Sequence, residues 1–190
     1  MKAIAICGSP RKEGNTETLL NKCLVKLSAA GIDSKLVSLR GKTIAPCIAC
    51  GVCGKKKDKT CAIKNDDFNP ILEDMLSADI IITGSPVYFG SATPETMALL
   101  DRAGYVSRSN NHLFSRKIGG PVVVARRAGQ NFTYAQLMMW YTINDMIVVG
   151  STYWNVAFGL QPGDSAKDEE GVKTVERFAE NLIWLSEKLK

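Results

Sequence analysis

The chain has 190 residues, of which 45% are hydrophobic and 23% charged, so it is long enough for one domain with a substantial core. No apolar run approaches the roughly 20 residues that cross a bilayer, which argues against a membrane protein. The net charge of +5 comes from basic residues spread along the chain, without an aromatic-interleaved basic stripe, and this argues against a nucleic-acid partner.

Five short apolar runs, most of them rich in β-branched residues, predict strands over residues 3–7, 35–39, 80–83, 121–125 and 146–149. Three of these runs are continuously apolar at their centres, which is typical of strands buried on both faces of a parallel sheet. Apolar side chains at helical spacing predict helices over residues 16–27, 93–103, 132–145 and 172–185.

The alternation of strands and helices predicts a single doubly wound α/β domain over residues 1–190. Right-handed crossovers between five parallel strands favour the strand order 2-1-3-4-5. An irregular segment over residues 41–65 interrupts the alternation after the second strand. Because ordinary connections are much shorter, we expect this segment to carry function.

A loop rich in Gly, Ser, Asn and Thr follows the first strand and reads G-S-P-R-K-E-G-N-T over residues 8–16. At this edge of a parallel sheet, backbone N–H groups, hydroxyls and the N-terminus of the next helix are placed to bind a phosphate. The loop lacks both the dinucleotide pattern G-x-G-x-x-G and the P-loop ending Gly-Lys-Ser/Thr. An alternative interpretation is a plain turn in which Asn15 or Thr16 caps the helix.

Two further loops follow the third and fourth strands. The first reads G-S-P-V-Y-F-G over residues 84–90 and offers apolar surface to a ring; alternatively, it forms a buried aromatic corner. The second reads R-R-A-G-Q over residues 126–130 and would place an arginine beside a ligand at the same edge of the sheet. One or both arginines could equally be ordinary surface residues, and for Arg126 the two interpretations are balanced.

These motifs together resemble the NADPH-dependent FMN reductase and iron–sulfur flavoprotein families of the flavodoxin-like superfamily. The resemblance runs from Met1 to about Gly163 and includes Leu-Asp-Arg at residues 100–102. It implies a flavodoxin-like fold and bound FMN. The residues it implies for the FMN phosphate are Ser9, Arg11, Asn15 and Thr16, with Lys12 beside them in the loop. Those it implies for the flavin ring are Pro86, Val87, Tyr88, Phe89, Gly90, Arg127, Ala128 and Gly129.

Four of the six cysteines form the run C-x2-C-x2-C-x7-C, at Cys47, Cys50, Cys53 and Cys61. Residues 1–7 lead at once into Gly8 and Pro10 and are too short for a signal peptide, so we expect a cytoplasmic protein with reduced thiols. Such tight spacing is typical of iron–sulfur ligands, with Gly51 and Gly54 easing the backbone. Structural zinc and unliganded thiols are the alternatives. The run also resembles the motif of iron–sulfur flavoproteins, in which a [4Fe–4S] cluster passes electrons to FMN.

The remaining cysteines, Cys7 and Cys23, are interpreted as small buried hydrophobic residues. We assign no role to His112, which is the single histidine. The bulky apolar residues within 132–141 suggest a subunit contact, and the resemblance implies a homodimer or homotetramer.

The sequence and the resemblance together predict an FMN-dependent oxidoreductase. Its donor would be NAD(P)H or a reduced ferredoxin-like protein, and its acceptor a quinone, a flavin, oxygen or a protein. Because the cofactor carries the chemistry, no catalytic acid or base is expected. The alternatives are a flavodoxin-type electron carrier without turnover and a cysteine-based redox or metal sensor.

Overall fold

The computed structural model describes residues 1–189 and contains one parallel β-sheet in the strand order β2-β1-β3-β4-β5, with the short strand β6 also paired to β4. The predicted order is therefore confirmed. The strands are β1 (Lys2–Cys7), β2 (Asp33–Ser38), β3 (Ile80–Pro86), β4 (Ile118–Ala125), β5 (Ile147–Val148) and β6 (Val156–Phe158).

The fifth sheet position is shared by two strands, whereas the sequence predicted one. Strand β5 pairs with Ile118 and Gly119, and β6 pairs with the last three residues of β4. Pro121 lies between these two contacts and has no N–H to offer the neighbouring strand. Its carbonyl instead accepts a hydrogen bond of 3.2 Å from the Asn155 side chain. The proline in β4 thus explains why the outer strand is interrupted.

Helices cover both faces of the sheet. They are α1 (Asn15–Ala29), α2 (Val52–Lys56), α3 (Phe68–Ser77), α4 (Pro94–Ser109), α5 (Gln130–Ile143) and α6 (Glu169–Lys188). One core cluster joins α1 and α6 to the sheet, and the other joins α3, α4 and α5 to the opposite face. No helix within residues 1–189 is long and apolar enough to cross a membrane.

The connection from β2 to β3 contains two helices that the sequence analysis did not predict. Helix α3 buries Phe68, Ile71, Leu72 and Met75, which recur at helical spacing and form its inner face. This helix completes the crossover between the parallel strands. The cysteine run lies in the segment that precedes it, beside α4.

The beginning of α4 is fixed to the end of β1. Thr93 Oγ1 donates a hydrogen bond of 2.9 Å to the Gly8 carbonyl, and a Cβ on Gly8 would lie only 1.9 Å from Thr96 Oγ1. A glycine is therefore required where this helix approaches the strand. The contact keeps the loops after β1 and β3 side by side.

A buried hydroxyl fastens α5 to the centre of the sheet. Tyr141 is fully buried, and its Oη lies 3.0 Å from Thr83 Oγ1 and 3.0 and 3.2 Å from the carbonyl oxygens of Gly120 and Ile81. Burial raises the pKa of Tyr141, so the phenol stays protonated and able to donate.

We predict that Tyr141→Phe lowers the free energy of unfolding by about 1–3 kcal/mol, because it leaves buried polar partners unsatisfied. The measurement is urea denaturation followed by circular dichroism. Tyr153→Phe is the matched control, since Tyr153 is 56% exposed. Equal stability of the Tyr141 variant and the wild type would show that this hydroxyl does not stabilise the fold.

Candidate functional site

The carboxyl ends of β1, β3 and β4 border an open cavity of about 210 Å³. Its position is the switch point of a doubly wound sheet, where ligands bind in folds of this class. The cavity is lined by Ser9, Arg11, Asn15, Thr16, Pro86, Val87, Tyr88, Val124, Arg126, Gly159 and Leu160. Seven of these were predicted from the sequence as cofactor-binding residues.

The polar end of the cavity is formed by the first turn of α1. Gly14 is the N-cap and provides no side-chain hydrogen bond to the helix, so neither Asn15 nor Thr16 caps it as the alternative interpretation proposed. Ser9 and Thr16 are almost completely buried at this end. Free N–H groups and a helix dipole beside buried hydroxyls are well suited to bind an anion.

A segment that the sequence analysis missed, residues 159–161, closes one side of this cavity. Arg11 Nη1 donates a hydrogen bond of 2.7 Å to the Leu160 carbonyl, and Asn15 Nδ2 donates one of 2.9 Å to the Gln161 carbonyl. A Cβ on Gly159 would lie 2.5 Å from Asn15 Nδ2. Asn15 thus holds the segment in place as well as bordering the cavity.

The apolar end is formed by the loop after β3. Val87 N donates a hydrogen bond of 2.9 Å to the Val124 carbonyl, and Tyr88 and Ser91 exchange two backbone hydrogen bonds across a tight turn. Phe89 and Gly90 occupy the tip of this turn with φ of 51° and 82°. Phe89 is fully exposed there, and neither tip residue lines the cavity.

The turn after β4 brings a different arginine to the cavity from the one predicted. Arg126 lines the cavity, whereas Arg127 and Ala128 are exposed and lie outside its lining. Gly129 packs against the neighbouring loop, because a Cβ there would lie 3.0 Å from Val87 Cγ1. Lys12 is also exposed outside the cavity, 3.9 Å from the Glu13 carboxylate.

A second, smaller cavity, of about 20 Å³, is lined by all four cysteines of the run. All of them are free thiols; Cys47 and Cys50 are exposed, while Cys53 and Cys61 are buried. The opposite wall consists of Arg102, Tyr105 and Val106 from α4. The long excursion therefore folds back and presents its thiols to one space.

Two residues in the left-handed backbone conformation turn the chain sharply between the cysteines. Ala49 and Gly51 have φ of 51° and 69°, and Gly51 precedes α2. Gly54 lies inside α2 without a positive φ, so the strained backbone expected there is not found.

Two asparagines fasten the cysteine segment to its neighbours. Cys61 N donates a hydrogen bond of 2.8 Å to Asn69 Oδ1, whose amide in turn donates to the Ile63 carbonyl. Asn110 Nδ2 donates to the Cys53 carbonyl at 3.3 Å. The buried cysteines are thus held by backbone hydrogen bonds of their own.

A buried ion pair joins both ends of this segment to α4. Arg102 and Asp66 are 1% and 2% exposed and are hydrogen-bonded to each other. The Arg102 guanidinium lies 3.9 Å from the centre of the Phe68 ring and donates to the Ala45 carbonyl. Burial alone would raise the pKa of Asp66, but hydrogen bonds from Arg102 and from the amides of Ala45 and Phe68 outweigh it and lower the pKa.

The four cysteines of the run are the residues that could hold a metal centre, because they line one cavity. Within residues 1–189, no three His, Cys, Asp or Glu side chains converge closely enough to hold one metal ion. Cysteine thiolates are ligands both for structural zinc and for a [4Fe–4S] cluster.

The other two cysteines are buried as predicted. Burial raises the pKa of Cys7 to about 11 and that of Cys23 to about 12, so both remain neutral thiols. Each packs in the core between the sheet and the α1–α6 layer.

Similar proteins carry flavin-related names. An iron–sulfur flavoprotein of Methanocaldococcus jannaschii is 36% identical over 202 aligned positions, covering 100% of both chains. An iron–sulfur flavoprotein of Methanosarcina thermophila is 35% identical, covering 100% of this chain and 97% of the relative. The chain thus aligns with both relatives along its whole length.

Solved structures with similar folds are more distant in sequence. RosB with a bound 8-demethyl-8-formylriboflavin-5'-phosphate superposes with a TM-score of 0.79 at 17% identity, covering 100% of this chain and 80% of that one. A flavodoxin-like WrbA-like protein from Agrobacterium tumefaciens gives 0.69 at 14%, covering 100% and 99%. These neighbours establish the flavodoxin-like fold.

The family model described as NADPH-dependent FMN reductase matches residues 1–161. That range contains the switch-point loops, the cysteine run and all six strands of the sheet. The chain therefore belongs to the NADPH-dependent FMN reductase family.

Proposed function

We propose that this protein is an oxidoreductase that transfers electrons through FMN and a [4Fe–4S] cluster held by Cys47, Cys50, Cys53 and Cys61. The observation that carries the proposal is the cavity lined by all four cysteines, in a chain that has a separate cavity at the switch point of its sheet. The names of the full-length relatives support the same pairing of cofactors. The donor would be NAD(P)H or a reduced ferredoxin-like protein, and the acceptor a quinone, a flavin, oxygen or a protein.

At the flavin cavity, the protein's task is to bind and orient. Ser9, Thr16 and the first turn of α1 would hold the phosphate, with Arg11 beside them. Pro86, Val87 and Tyr88 would pack against the ring, and the charge of Arg126 would favour its reduced form. FMN, when bound, interconverts two-electron and one-electron transfer. Phe89, Gly90, Arg127, Ala128 and Gly129 remain predictions from the family resemblance.

We predict that Arg11→Ala weakens FMN binding about tenfold to hundredfold, because it removes a charge-assisted donor worth about 1.5–3 kcal/mol. The measurement is titration of apoprotein with FMN, followed by quenching of flavin fluorescence. Arg177→Ala is the control, since Arg177 is exposed on α6 and lies outside the cavity lining. Equal affinities of wild type and Arg11→Ala would remove Arg11 from the site.

Iron and sulfide content test the cluster assignment. Protein purified without oxygen should contain about four iron and about four sulfide atoms per chain. Cys50→Ser should lose the iron yet keep FMN, because the two cavities are lined by different residues. Cys23→Ser, which changes a core cysteine outside both cavities, should retain both cofactors.

Other metal contents would contradict the cluster assignment. Stoichiometric zinc in place of iron, or FMN-loaded wild type without iron after reconstitution, would each do so. In the latter case the cysteine segment would have to serve as free thiols, as in a redox sensor.

A run of exposed lysines follows Cys53 along the chain and suits an acidic electron-carrier protein. Five exposed lysines form it, and none has a carboxylate within 4.0 Å among residues 1–189: Lys55, Lys56, Lys57, Lys59 and Lys64. Asp58 is the one acidic residue within this stretch of sequence. Such a patch accelerates the encounter with an oppositely charged partner.

We predict that the triple variant K55E/K56E/K57E slows reduction by ferredoxin at least about tenfold at low ionic strength, while reduction by NADPH is unchanged. Stopped-flow absorbance at several salt concentrations measures both rates. The control K2E/K173E/K188E reverses three exposed charges elsewhere on the surface. An unchanged ferredoxin rate would exclude this patch as the docking surface.

We also propose that the protein assembles as a homodimer or homotetramer through α5. Phe132, Met139 and Ile143 lie on one stripe of this helix and are all more than half exposed. Leu137, Trp140 and Tyr141 of the same helix are buried in the core, and Tyr134 and Met138 are half-buried. An apolar stripe of this kind is typical of a contact surface.

A further inference from the structure

One charged side chain in the wall of the cysteine cavity is not explained by the fold alone. Arg102 projects from α4 into that wall, and only 1% of its surface is exposed. A buried guanidinium requires acceptors for its N–H groups, because water no longer satisfies them.

Both terminal nitrogens of Arg102 have partners. Nη1 donates to the Ala45 carbonyl at 3.1 Å and to Asp66 Oδ2, and Nη2 donates to the Ile63 carbonyl and to Asp66 Oδ1, each at 3.4 Å. The third nitrogen, Nε, is buried and has no hydrogen-bond partner within residues 1–189. An unsatisfied buried donor of a charged group is costly, and native structures rarely keep one without a reason.

The surroundings of Nε indicate what its acceptor is. The four cysteines line the same cavity as Arg102. Among them, Cys61 is nearest in sequence to Ile63, whose carbonyl accepts the hydrogen bond from Nη2. A deprotonated sulfur at this place would accept the free N–H.

We propose that Arg102 is a positioning residue of the cysteine site, whose Nε–H donates a hydrogen bond to the Cys61 thiolate when the cluster is bound. The inference rests on the proposed cluster and names a group that controls its potential. Hydrogen bonds to cluster sulfurs favour the more negative, reduced form and so raise the reduction potential. Asp66 and Phe68 hold the guanidinium in the required place.

Arg102→Lys tests this directly, because it keeps the positive charge beside Asp66 but has no Nε. We expect the equilibrium constant for one-electron reduction of the cluster to fall about tenfold, which is a shift of about −59 mV. The measurement is an anaerobic redox titration of the iron-loaded protein, followed by electron paramagnetic resonance. Arg108→Lys is the matched control: Arg108 is exposed on the same helix and donates to the Ile143 carbonyl.

A second variant covers the case in which Arg102→Lys does not fold. R102M/D66L replaces the whole buried pair by apolar residues, an exchange that proteins often tolerate, and it also lacks Nε. We expect the same tenfold fall. Circular dichroism and FMN content establish that each variant is folded.

The outcomes separate the inference from the proposed function. Iron-loaded, folded variants with the wild-type potential would overturn the role of Arg102 and leave the cluster assignment intact. Wild-type protein that binds no iron would overturn the cluster assignment, and the role of Arg102 with it. A purely structural Arg102 would lower stability without moving the potential, so the titration distinguishes the two roles.

Discussion

The buried ion pair between Arg102 and Asp66 joins the cysteine segment to helix α4. Asp66 belongs to the excursion that carries the cysteines, and Arg102 belongs to α4. The first residues of the same helix lie against Gly8, at the start of the loop after β1. Thr93 and Arg102 are about 14 Å apart along this helix, at about 1.5 Å per residue. Helix α4 therefore links the loop after β1 to the wall of the cysteine cavity.

Burying the charges of Arg102 and Asp66 costs desolvation free energy. This cost is offset only because every carboxylate oxygen and both terminal guanidinium nitrogens are hydrogen-bonded, and because the guanidinium stacks on the Phe68 ring. Removing one partner alone would leave an uncompensated charge in the core. The excursion is thus specified by polar contacts as well as by apolar burial, which suits a segment that must present four thiols in a fixed arrangement.

Much of the fold could be predicted from the sequence because the relevant signals are local. Continuous apolar runs indicated the central strands, and chain order with crossover handedness gave the strand order. The interrupted fifth strand was signalled by Pro121, and α3 by the spacing of its apolar residues, although neither signal was used. The two loops that meet at the switch point were predicted from their composition and from where strands end.

The rest depends on contacts between residues far apart in sequence. Asn15 is hydrogen-bonded to Gln161 and Ser165, which lie about 150 positions further along the chain. No local sequence pattern predicts these contacts. Asp66 and Arg102 are 36 positions apart, and neither looks buried from its neighbours in the chain. Whether Arg126 or Arg127 reaches the cavity is decided by the conformation of a single turn. The direction of a side chain in a turn depends on how the turn packs against its neighbours, and amino-acid composition does not predict that.

The central claim is that one chain holds two redox centres, and counting electrons tests it most directly. FMN accepts two electrons and a [4Fe–4S] cluster accepts one. An anaerobic titration of the holoprotein with a low-potential reductant should therefore consume about three electron equivalents per chain. An end point at about two electrons, reached when the flavin absorbance is fully bleached, would contradict the presence of a cluster in this protein.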